Sequence, residues 1–299
     1  MNLMTIIHSH CPCCMSREIS FVLKATDHTV SHEKFEIWQC NICTLRFTQA
    51  IPLKDAISDY YKSENYISHS DTDKGFINSI YHTVRKITLV TKKKIIEKYT
   101  GTSAGKILDV GSGTGAFLYT MQQAGWEITG LEPDEAAKVK AKQLYGLTLQ
   151  DPETLFKISA ETFDAITMWH VLEHVHDLHK NLEQVKSILK PKGFLFIAVP
   201  NYTCYDQKIY KEYWAAYDVP RHLYHFSPEA MMQLLQLHGL KMKSMKRMLY
   251  DSFYVSMLSE KYRSGRNNIL CAFWNGFVSN CKAIMDKGKC SSIIYAIQK

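Results

Sequence analysis

Three glycines at alternate positions follow a short apolar segment that also carries an acidic residue, within residues 106–115. These glycines, Gly111, Gly113 and Gly115, allow a tight turn and let a ligand approach the backbone where any Cβ atom would collide. Residues 116–118 are typical of a helix start, which offers unpaired N–H groups to a polar ligand. The dinucleotide fingerprint needs the longer spacing G-x-G-x-x-G. The segment therefore predicts a nucleotide-like ligand at the carboxyl end of a parallel strand.

Carboxylates occur where successive strands of this region are expected to end. Asp109 lies just before the first glycine, and Glu132 closes the next strand, 127–131. Asp151 follows a third strand that we place at roughly 146–149. An acid before such a glycine loop, with a second acid at the end of the following strand, resembles the class I S-adenosylmethionine-dependent methyltransferases.

The resemblance extends from about residue 106 to residue 250. Residues 163–177 contain a Leu-Glu-His motif and resemble the region after the fourth strand in one branch of that family. Residues 194–201 and 220–227 resemble the fifth strand and the loop that follows it in the same branch. The resemblance implies S-adenosylmethionine as the cofactor.

The resemblance also implies a role for each carboxylate. Asp109 is expected to orient the loop and to contact the methionine amino group, directly or through water, while the three glycines admit the amino-acid and ribose portions. Glu132 is expected to accept both ribose hydroxyls, since a carboxylate can take two parallel O–H donors. Asp151 either accepts from the adenine amino group or serves as a loop carboxylate or helix cap.

Two C-x-x-C pairs near the N-terminus, separated by twenty-five residues, predict a metal site. Four thiolates from two tight turns suit tetrahedral Zn²⁺. A unit of about fifty residues buries too small a core to fold without a stabilising metal ion. The expected ligands are Cys11, Cys14, Cys40 and Cys43. Cys13 replacing Cys14, or the involvement of His8 or His10, stays open. Four protein ligands leave no open position, so the zinc is expected to be structural.

This zinc-ribbon-like module resembles the one that precedes the catalytic domain in a sub-branch of the family. That sub-branch includes C-methyltransferases acting on nucleotide-linked deoxysugars.

Methyl transfer from a sulfonium requires the enzyme to position two reactants and to deprotonate the acceptor. A base with a near-neutral pKa suits this task, and histidine provides one. The candidates lie after the fourth and fifth strands: His170, Glu173, His174, His222 and His225. We expect His174 to be the base with Glu173 as its orienting partner, and His225 as the alternative base. The acceptor is expected between the 60–66 segment, the 170–174 turn and the 221–226 loop.

Residues 170–174 also fit the H-x-x-E-H pattern of an inverted zincin metalloprotease. Zincin ligands lie within a long helix, whereas here a buried strand is expected to run directly into the motif. The context therefore favours the methyltransferase interpretation.

Strands and helices alternate from residue 106 onward, which predicts an α/β fold with a Rossmann-like, doubly wound, mostly parallel sheet of seven strands. The expected strands are 106–110, 127–131, 146–149, 164–168, 193–199, 240–249 and 292–298. We divide the chain into the zinc-ribbon-like module at 1–50, a helical lid or linker at 51–103 and the methyltransferase domain at 104–299. An insertion at 254–288 has no fold that the sequence indicates.

The composition is that of a soluble globular protein, with 46% hydrophobic and 22% charged residues in a chain of 299. No apolar run approaches the ~18 residues of a membrane span. Nine cysteines in a chain this long favour a reducing, cytoplasmic setting over a disulfide scaffold. Residues 241–299 contain eleven Lys and Arg against three acidic residues, a net charge of +8, within a chain of net charge +7.

These features predict a methyltransferase that acts on a small or nucleotide-linked metabolite, such as a sugar. The alternatives are an RNA-modifying methyltransferase that grips phosphate with its basic region, or a non-catalytic cofactor-binding protein with this fold. Basic charge without a recognisable nucleic-acid module makes a nucleic-acid partner the weaker expectation.

Overall fold

The structure is a computed structural model that describes residues 5–62, 76–266 and 268–299, with residues 76–83 described by their backbone alone. The strands are β1 Thr5–Ile6, β2 Ile19–Thr26, β3 Lys34–Cys40, β4 Arg46–Thr48, β5 Ile51–Pro52, β6 Lys106–Val110, β7 Glu127–Leu131, β8 Phe163–Trp169, β9 Leu189–Pro200, β10 Tyr224–His225, β11 Lys241–Arg247 and β12 Ser292–Gln298. The α-helices are α1 Phe76–Thr100, α2 Ala116–Gln123, α3 Glu135–Tyr145, α4 Leu178–Ile188, α5 Tyr205–Tyr210, α6 Pro228–Leu237, α7 Asp251–Ser264 and α8 Ile269–Met285.

A six-stranded sheet in the order β11-β12-β9-β8-β6-β7 forms the centre of the α/β fold. The strands β9, β8, β6 and β7 are parallel, whereas β12 runs antiparallel to both β9 and β11. Helices cover both faces, so the inner strands are nearly continuous apolar runs, and Leu108, Ile166 and Ile197 have no exposed surface. The parallel arrangement brings the carboxyl ends of β6, β7 and β8 to one edge of the sheet.

The expected strand at 146–149 is corrected by the structure. Leu147 and Leu149 are buried against α2 and α3, and in the described chain only Gln150 reaches the sheet, as a single parallel bridge to Leu131. The Gln150 N–H donates to the Gly130 carbonyl at 2.9 Å. Because these leucines pack onto helices, residues 147–149 do not pair with β7. Among the described residues, the central sheet therefore has six strands and not the expected seven.

The N-terminal unit forms a second sheet in the order β10-β4-β3-β2. Its outer strand, β10, comes from residues 224–225, so Phe47 pairs with Tyr224 and Arg46 with His225. A buried ion pair of 2.9 Å between Arg221 and Asp27 adds a further connection. Residues 5–50 therefore share a sheet and a core with residues of the larger domain.

The helix α1 covers one face of the central sheet. Ile96 is fully buried among apolar side chains that include Ile107, Phe117 and Phe196. Within the expected lid at 51–103, the described residues form β5, a 3₁₀ turn at Ile57–Tyr61 and the long helix α1. Tyr66, part of the segment expected to face the acceptor, lies outside the described residues.

The insertion at 254–288 folds as the helix pair α7 and α8. Gly265 ends α7 in the left-handed conformation, with φ 68°, and the Asn268 side chain accepts from the Cys271 N–H to begin α8. The two helices approach closely at Gly276, where an added Cβ would lie 2.8 Å from the Phe253 ring. Small residues on α8 therefore fix how this pair packs.

Candidate active site

The glycine loop adopts a backbone that only glycine accepts easily. Gly111, Gly113 and Gly115 have φ angles of 72°, 53° and 78°, all in the left-handed region. An added Cβ at Gly111 would lie 2.5 Å from the Val171 side chain, in the segment that follows β8. The loop is therefore close-packed against the end of a neighbouring strand, and it opens towards the helix start at α2.

Glu132 faces this loop from the end of β7. One of its carboxylate oxygens accepts from the Gly113 N–H at 2.7 Å, and the other accepts from the Asp134 N–H at 2.9 Å. Burial raises the pKa of Glu132 above its usual value, because little solvent reaches the carboxylate. Each oxygen keeps capacity to accept a second hydrogen bond, which suits a diol such as ribose.

Asp109 is buried at the end of β6. It accepts from the Thr167 hydroxyl of β8 at 2.5 Å, while the Ser112 hydroxyl donates to its backbone carbonyl at 2.9 Å. Burial raises the pKa of this carboxyl. The residue thus ties the loop to two strands, as expected for an orienting role.

His170 begins the segment after β8, with a left-handed φ of 58°. Its ring nitrogens lie 3.3 Å from Glu173 and 3.3 Å from Asp251. Burial alone lowers the pKa of His170, but the two carboxylates outweigh it and raise the pKa to about 9. The two carboxylates therefore favour the charged form of His170, and its role as a catalytic base stays a prediction.

His174 is neutral at physiological pH. Burial, with a further contribution from His222, lowers the pKa of its imidazole to about 4. Its Nδ1 lies 3.0 Å from the Arg221 carbonyl, which can only accept, so Nδ1 carries the proton and Nε2 keeps a lone pair. The Tyr61 hydroxyl also lies 3.0 Å from Nδ1. This tautomer leaves Nε2 free to accept a proton, although the lowered pKa makes the ring a weaker base than the near-neutral one expected from the sequence.

The expected pairing of Glu173 with His174 is corrected. Glu173 has no exposed surface, and its carboxylate is paired with His170 at 3.3 Å, so the Arg221 carbonyl orients His174 instead. Burial raises the pKa of Glu173, but His170, His174 and His222 together hold it below its usual value. Glu173, His174 and His222 each place one ligand atom within 4.8 Å of the others, a spacing that could also hold a cation.

The other two histidine candidates are held in structural positions. His222 Nδ1 donates to the Ala216 carbonyl at 2.9 Å. His225 lies on β10, with Nε2 3.2 Å from the Thr48 hydroxyl, and burial holds its pKa well below the usual value. His225 therefore contacts β4 from the neighbouring strand of the same sheet, and its role as the alternative base stays a prediction.

The metalloprotease interpretation does not fit this geometry. Residues 172–174 form a single 3₁₀ turn directly after β8, and His170 is paired with two carboxylates. A zincin would need His170 and His174 on successive turns of one helix with neutral rings.

A family model described as a methyltransferase domain matches residues 86–244, just over half of the chain. The chain belongs to this methyltransferase family. The ubiquinone biosynthesis O-methyltransferase of Actinobacillus pleuropneumoniae serotype 7 (strain AP76) is 28% identical over 60% of this chain and 81% of its own length. The human mitochondrial protein of that name is 32% identical over 50% of this chain, and only 44% of the human protein is covered.

Solved structures confirm the α/β methyltransferase fold. A methyltransferase from Thermotoga maritima, described as SAM-dependent and as a possible histamine N-methyltransferase, superposes with a TM-score of 0.50 and 18% identity. The match covers 75% of this chain and 96% of that one. The family match and the relatives make the chain an enzyme of the methyltransferase class.

Two cationic side chains near the glycine loop, Arg85 and Lys92, were not predicted from the sequence. Arg85 of α1 donates to the Thr114 hydroxyl of the glycine loop at 3.2 Å. The Lys92 ammonium lies 4.3 Å from the centre of the Trp169 ring, and burial lowers its pKa to about 8 against the opposing effect of Asp109. The helix α1 has many charged residues, and their sequence pattern does not indicate which of them face the cofactor region. The contacts of Arg85 and Lys92 become apparent only from the packing of α1 in the structure.

Asp151 lies at the position expected for an adenine contact, but its side chain is exposed and ion-paired with Lys138. It precedes a 3₁₀ turn at Pro152–Lys157 without capping it through its side chain. The role of Asp151 in holding the adenine amino group stays a prediction.

The four cysteines of the two C-x-x-C pairs come together. Their sulfur atoms lie within 4.8 Å of one another, with 3.5 Å between Cys11 and Cys43 and 3.5 Å between Cys14 and Cys40. Cys13 lies outside this group, and its backbone N–H is directed to the Cys11 sulfur at 3.3 Å. Four thiolates at this spacing fit a tetrahedral zinc ion.

Replacement of Glu132 tests the cofactor site. We expect Glu132→Ala to weaken S-adenosylhomocysteine binding by at least ~1.5 kcal/mol, because two charge-assisted hydrogen bonds to ribose are lost. Calorimetric titration measures the effect, and Glu127→Ala, at the exposed first residue of the same strand, is the matched control. Equal affinity in the two variants would show that the ribose is held elsewhere.

Proposed function

We propose that this methyltransferase transfers the methyl group of S-adenosylmethionine to a hydroxyl group of a small molecule, with His174 as general base. The single observation that carries the proposal is the geometry of His174, whose Nδ1 lies 3.0 Å from the Arg221 carbonyl, which fixes the tautomer and leaves Nε2 without a proton. A hydroxyl acceptor needs a base to remove its proton as the methyl group arrives, and a positioned imidazole serves that purpose.

The surroundings of His174 support an acceptor site that excludes water. The Tyr61 hydroxyl, the fully buried Glu173 and the nearly buried His222 surround the ring. The carboxylates of Glu173 and Asp251 both pair with His170, so their buried negative charge is compensated. Neither carboxylate is therefore expected to take the proton of the acceptor. In-line displacement then depends on holding the hydroxyl between Nε2 and the cofactor methyl group.

The acceptor class rests on the relatives and on the resemblance seen in the sequence. The relatives' names support O-methylation of a biosynthetic intermediate, and the zinc-ribbon-like module supports a nucleotide-linked sugar as the narrower alternative. Incubation with methyl-labelled S-adenosylmethionine and a panel of hydroxylated aromatic compounds and nucleoside diphosphate sugars tests both. We expect label on an oxygen atom of one panel member. Label transferred to RNA or to a carbon atom, with none on oxygen, would overturn the proposal.

We also propose that Cys11, Cys14, Cys40 and Cys43 hold one structural Zn²⁺. The close sulfur distances support it, as do the N–H groups of Cys13 and Cys43 that approach the sulfurs of Cys11 and Cys40 at 3.3 and 3.5 Å. Such contacts favour the thiolate form that zinc requires.

The pH dependence of kcat/KM follows from the two histidines. The pKa of His174 is lowered to about 4, so its base form persists as pH falls through the ordinary histidine value near 6.5. The pKa of His170 is raised to about 9, so its ion pairs stabilise the site below that value and are lost as pH rises through it. We expect a flat profile from about pH 6 to 8 and a decline near 9. A limb centred near 6.5 would contradict these assignments.

A further inference from the structure

The helix α8 turns its large apolar side chains towards solvent. Leu270 is 84% exposed, Trp274 64% and Met285 89%. The outward face, which we call the α8 apolar face, consists of Ile269, Leu270, Phe273, Trp274, Phe277, Ile284 and Met285. These positions fall in adjacent pairs or at spacings of three, four and seven residues, which place them in one stripe along the helix. Scattered exposed apolar residues are ordinary on soluble proteins, but a continuous stripe marks an interaction surface.

The inward face of α8 makes most of the packing contacts of this helix. The buried residues of the helix are small or polar: Ala272, Gly276, Ser279, Asn280 and Ala283. They pack α8 against α7 and α5, and the Ser279 hydroxyl donates to Asp206 of α5 at 2.8 Å. The usual order, with large apolar residues inside and polar residues outside, is reversed.

Basic residues flank both ends of the apolar face. Arg263 and Arg266 precede α8, and Lys282 and Lys287 lie at or after its last turn, all of them exposed. The nearby acids are engaged, since Glu260 pairs with Arg263 at 2.7 Å and the Asp286 side chain accepts from the Gly288 N–H at 2.8 Å. The surface around the stripe is therefore positively charged.

We propose that the α8 apolar face docks this protein on a bilayer surface that carries anionic lipid. Aromatic and aliphatic side chains insert at the boundary between headgroups and acyl chains, while the flanking Lys and Arg residues meet lipid phosphates. The helix lies in the plane of the surface, because no helix of the described residues is long and apolar enough to cross a membrane. The proposal does not depend on which acceptor the enzyme uses.

Charge favours lipid over a second copy of the chain. A twofold pairing of α8 with its copy brings basic ends against basic ends, whether the helices run parallel or antiparallel. An anionic bilayer instead meets both ends with opposite charge. Since α7 carries Asp251, the partner of His170, and packs on α8, docking sets the candidate active site beside the bilayer.

Co-sedimentation with lipid vesicles tests the proposal. We expect the full-length protein to bind phosphatidylcholine vesicles that contain phosphatidylglycerol, and to bind pure phosphatidylcholine vesicles weakly. The triple variant Phe273→Ser, Trp274→Ser and Phe277→Ser is expected to lower the partition by at least about tenfold, because three anchors are lost. The matched control is Met232→Ser with Leu237→Ser, which removes two exposed apolar side chains of α6.

Two double variants that reverse lysine charges distinguish the electrostatic contribution to vesicle binding from the contribution of the apolar side chains. Lys282→Glu with Lys287→Glu should abolish the preference for anionic vesicles, whereas Lys241→Glu with Lys243→Glu, on the exposed side of β11, should keep it. S-adenosylhomocysteine binding shows that each variant is folded.

No binding of the wild type to anionic vesicles, or equal binding by the triple variant, would overturn the proposal. A dimer that the triple variant disperses, without vesicle binding, would identify a second copy as the occupant and would also overturn it.

Discussion

Replacing His174 by Gln is expected to reduce turnover by about 10²–10⁴-fold while S-adenosylhomocysteine affinity stays within about threefold. The glutamine side chain fills a similar space but cannot take the acceptor proton at neutral pH. The cofactor contacts, at the glycine loop and Glu132, involve different residues and remain intact. Steady-state kinetics on the authentic acceptor and calorimetry on the cofactor product measure the two quantities.

His179→Gln is the matched control for this variant. His179 lies on α4, with its Nδ1 2.8 Å from His238 and outside the residues that surround His174. We expect it to retain wild-type turnover. Nearly full turnover in His174→Gln would mean that the enzyme works by positioning alone.

Loss of one zinc ligand is expected to destabilise the entire chain. Structural zinc contributes an apparent ~10–16 kcal/mol to small zinc-dependent folds, comparable with the ~5–15 kcal/mol stability of a whole domain. The N-terminal sheet contains β10, and the Thr48 hydroxyl of that sheet donates to the His222 carbonyl at 2.7 Å. Unfolding of residues 1–50 therefore removes support from the loop that carries Arg221 and orients His174.

Cys40→Ser and Cys281→Ser form the matched pair for this test, because Cys281 is an exposed cysteine on α8. Elemental analysis should find one zinc per chain in the wild type and in Cys281→Ser, and less than one in Cys40→Ser. Thermal unfolding of Cys40→Ser should begin at a lower temperature, with loss of cofactor binding in the same transition. A metal-free wild type with an ordered N-terminal unit would refute the zinc assignment.

Local sequence patterns predicted the elements whose signals are themselves local. The strand at 106–110, the glycine turn and the last strand at 292–298 were expected where the structure has them, because apolar runs and glycines carry that information.

Contacts between distant parts of the chain were not predictable in this way. No local pattern indicates that Phe47 pairs with Tyr224, or that Asp251 reaches His170, so the shared sheet and the ion-paired His170 were missed. Glu173 was assigned to its neighbour His174 because the two are adjacent in sequence, whereas the turn at Leu172–His174 directs the carboxylate to His170.

Binding of S-adenosylhomocysteine to the purified protein is the most direct test of the central claim, that the glycine loop and Glu132 form a cofactor site for methyl transfer. Calorimetric titration should show one site per chain for S-adenosylhomocysteine and no binding of NAD. Tight NAD binding, with none for S-adenosylhomocysteine, would contradict the account.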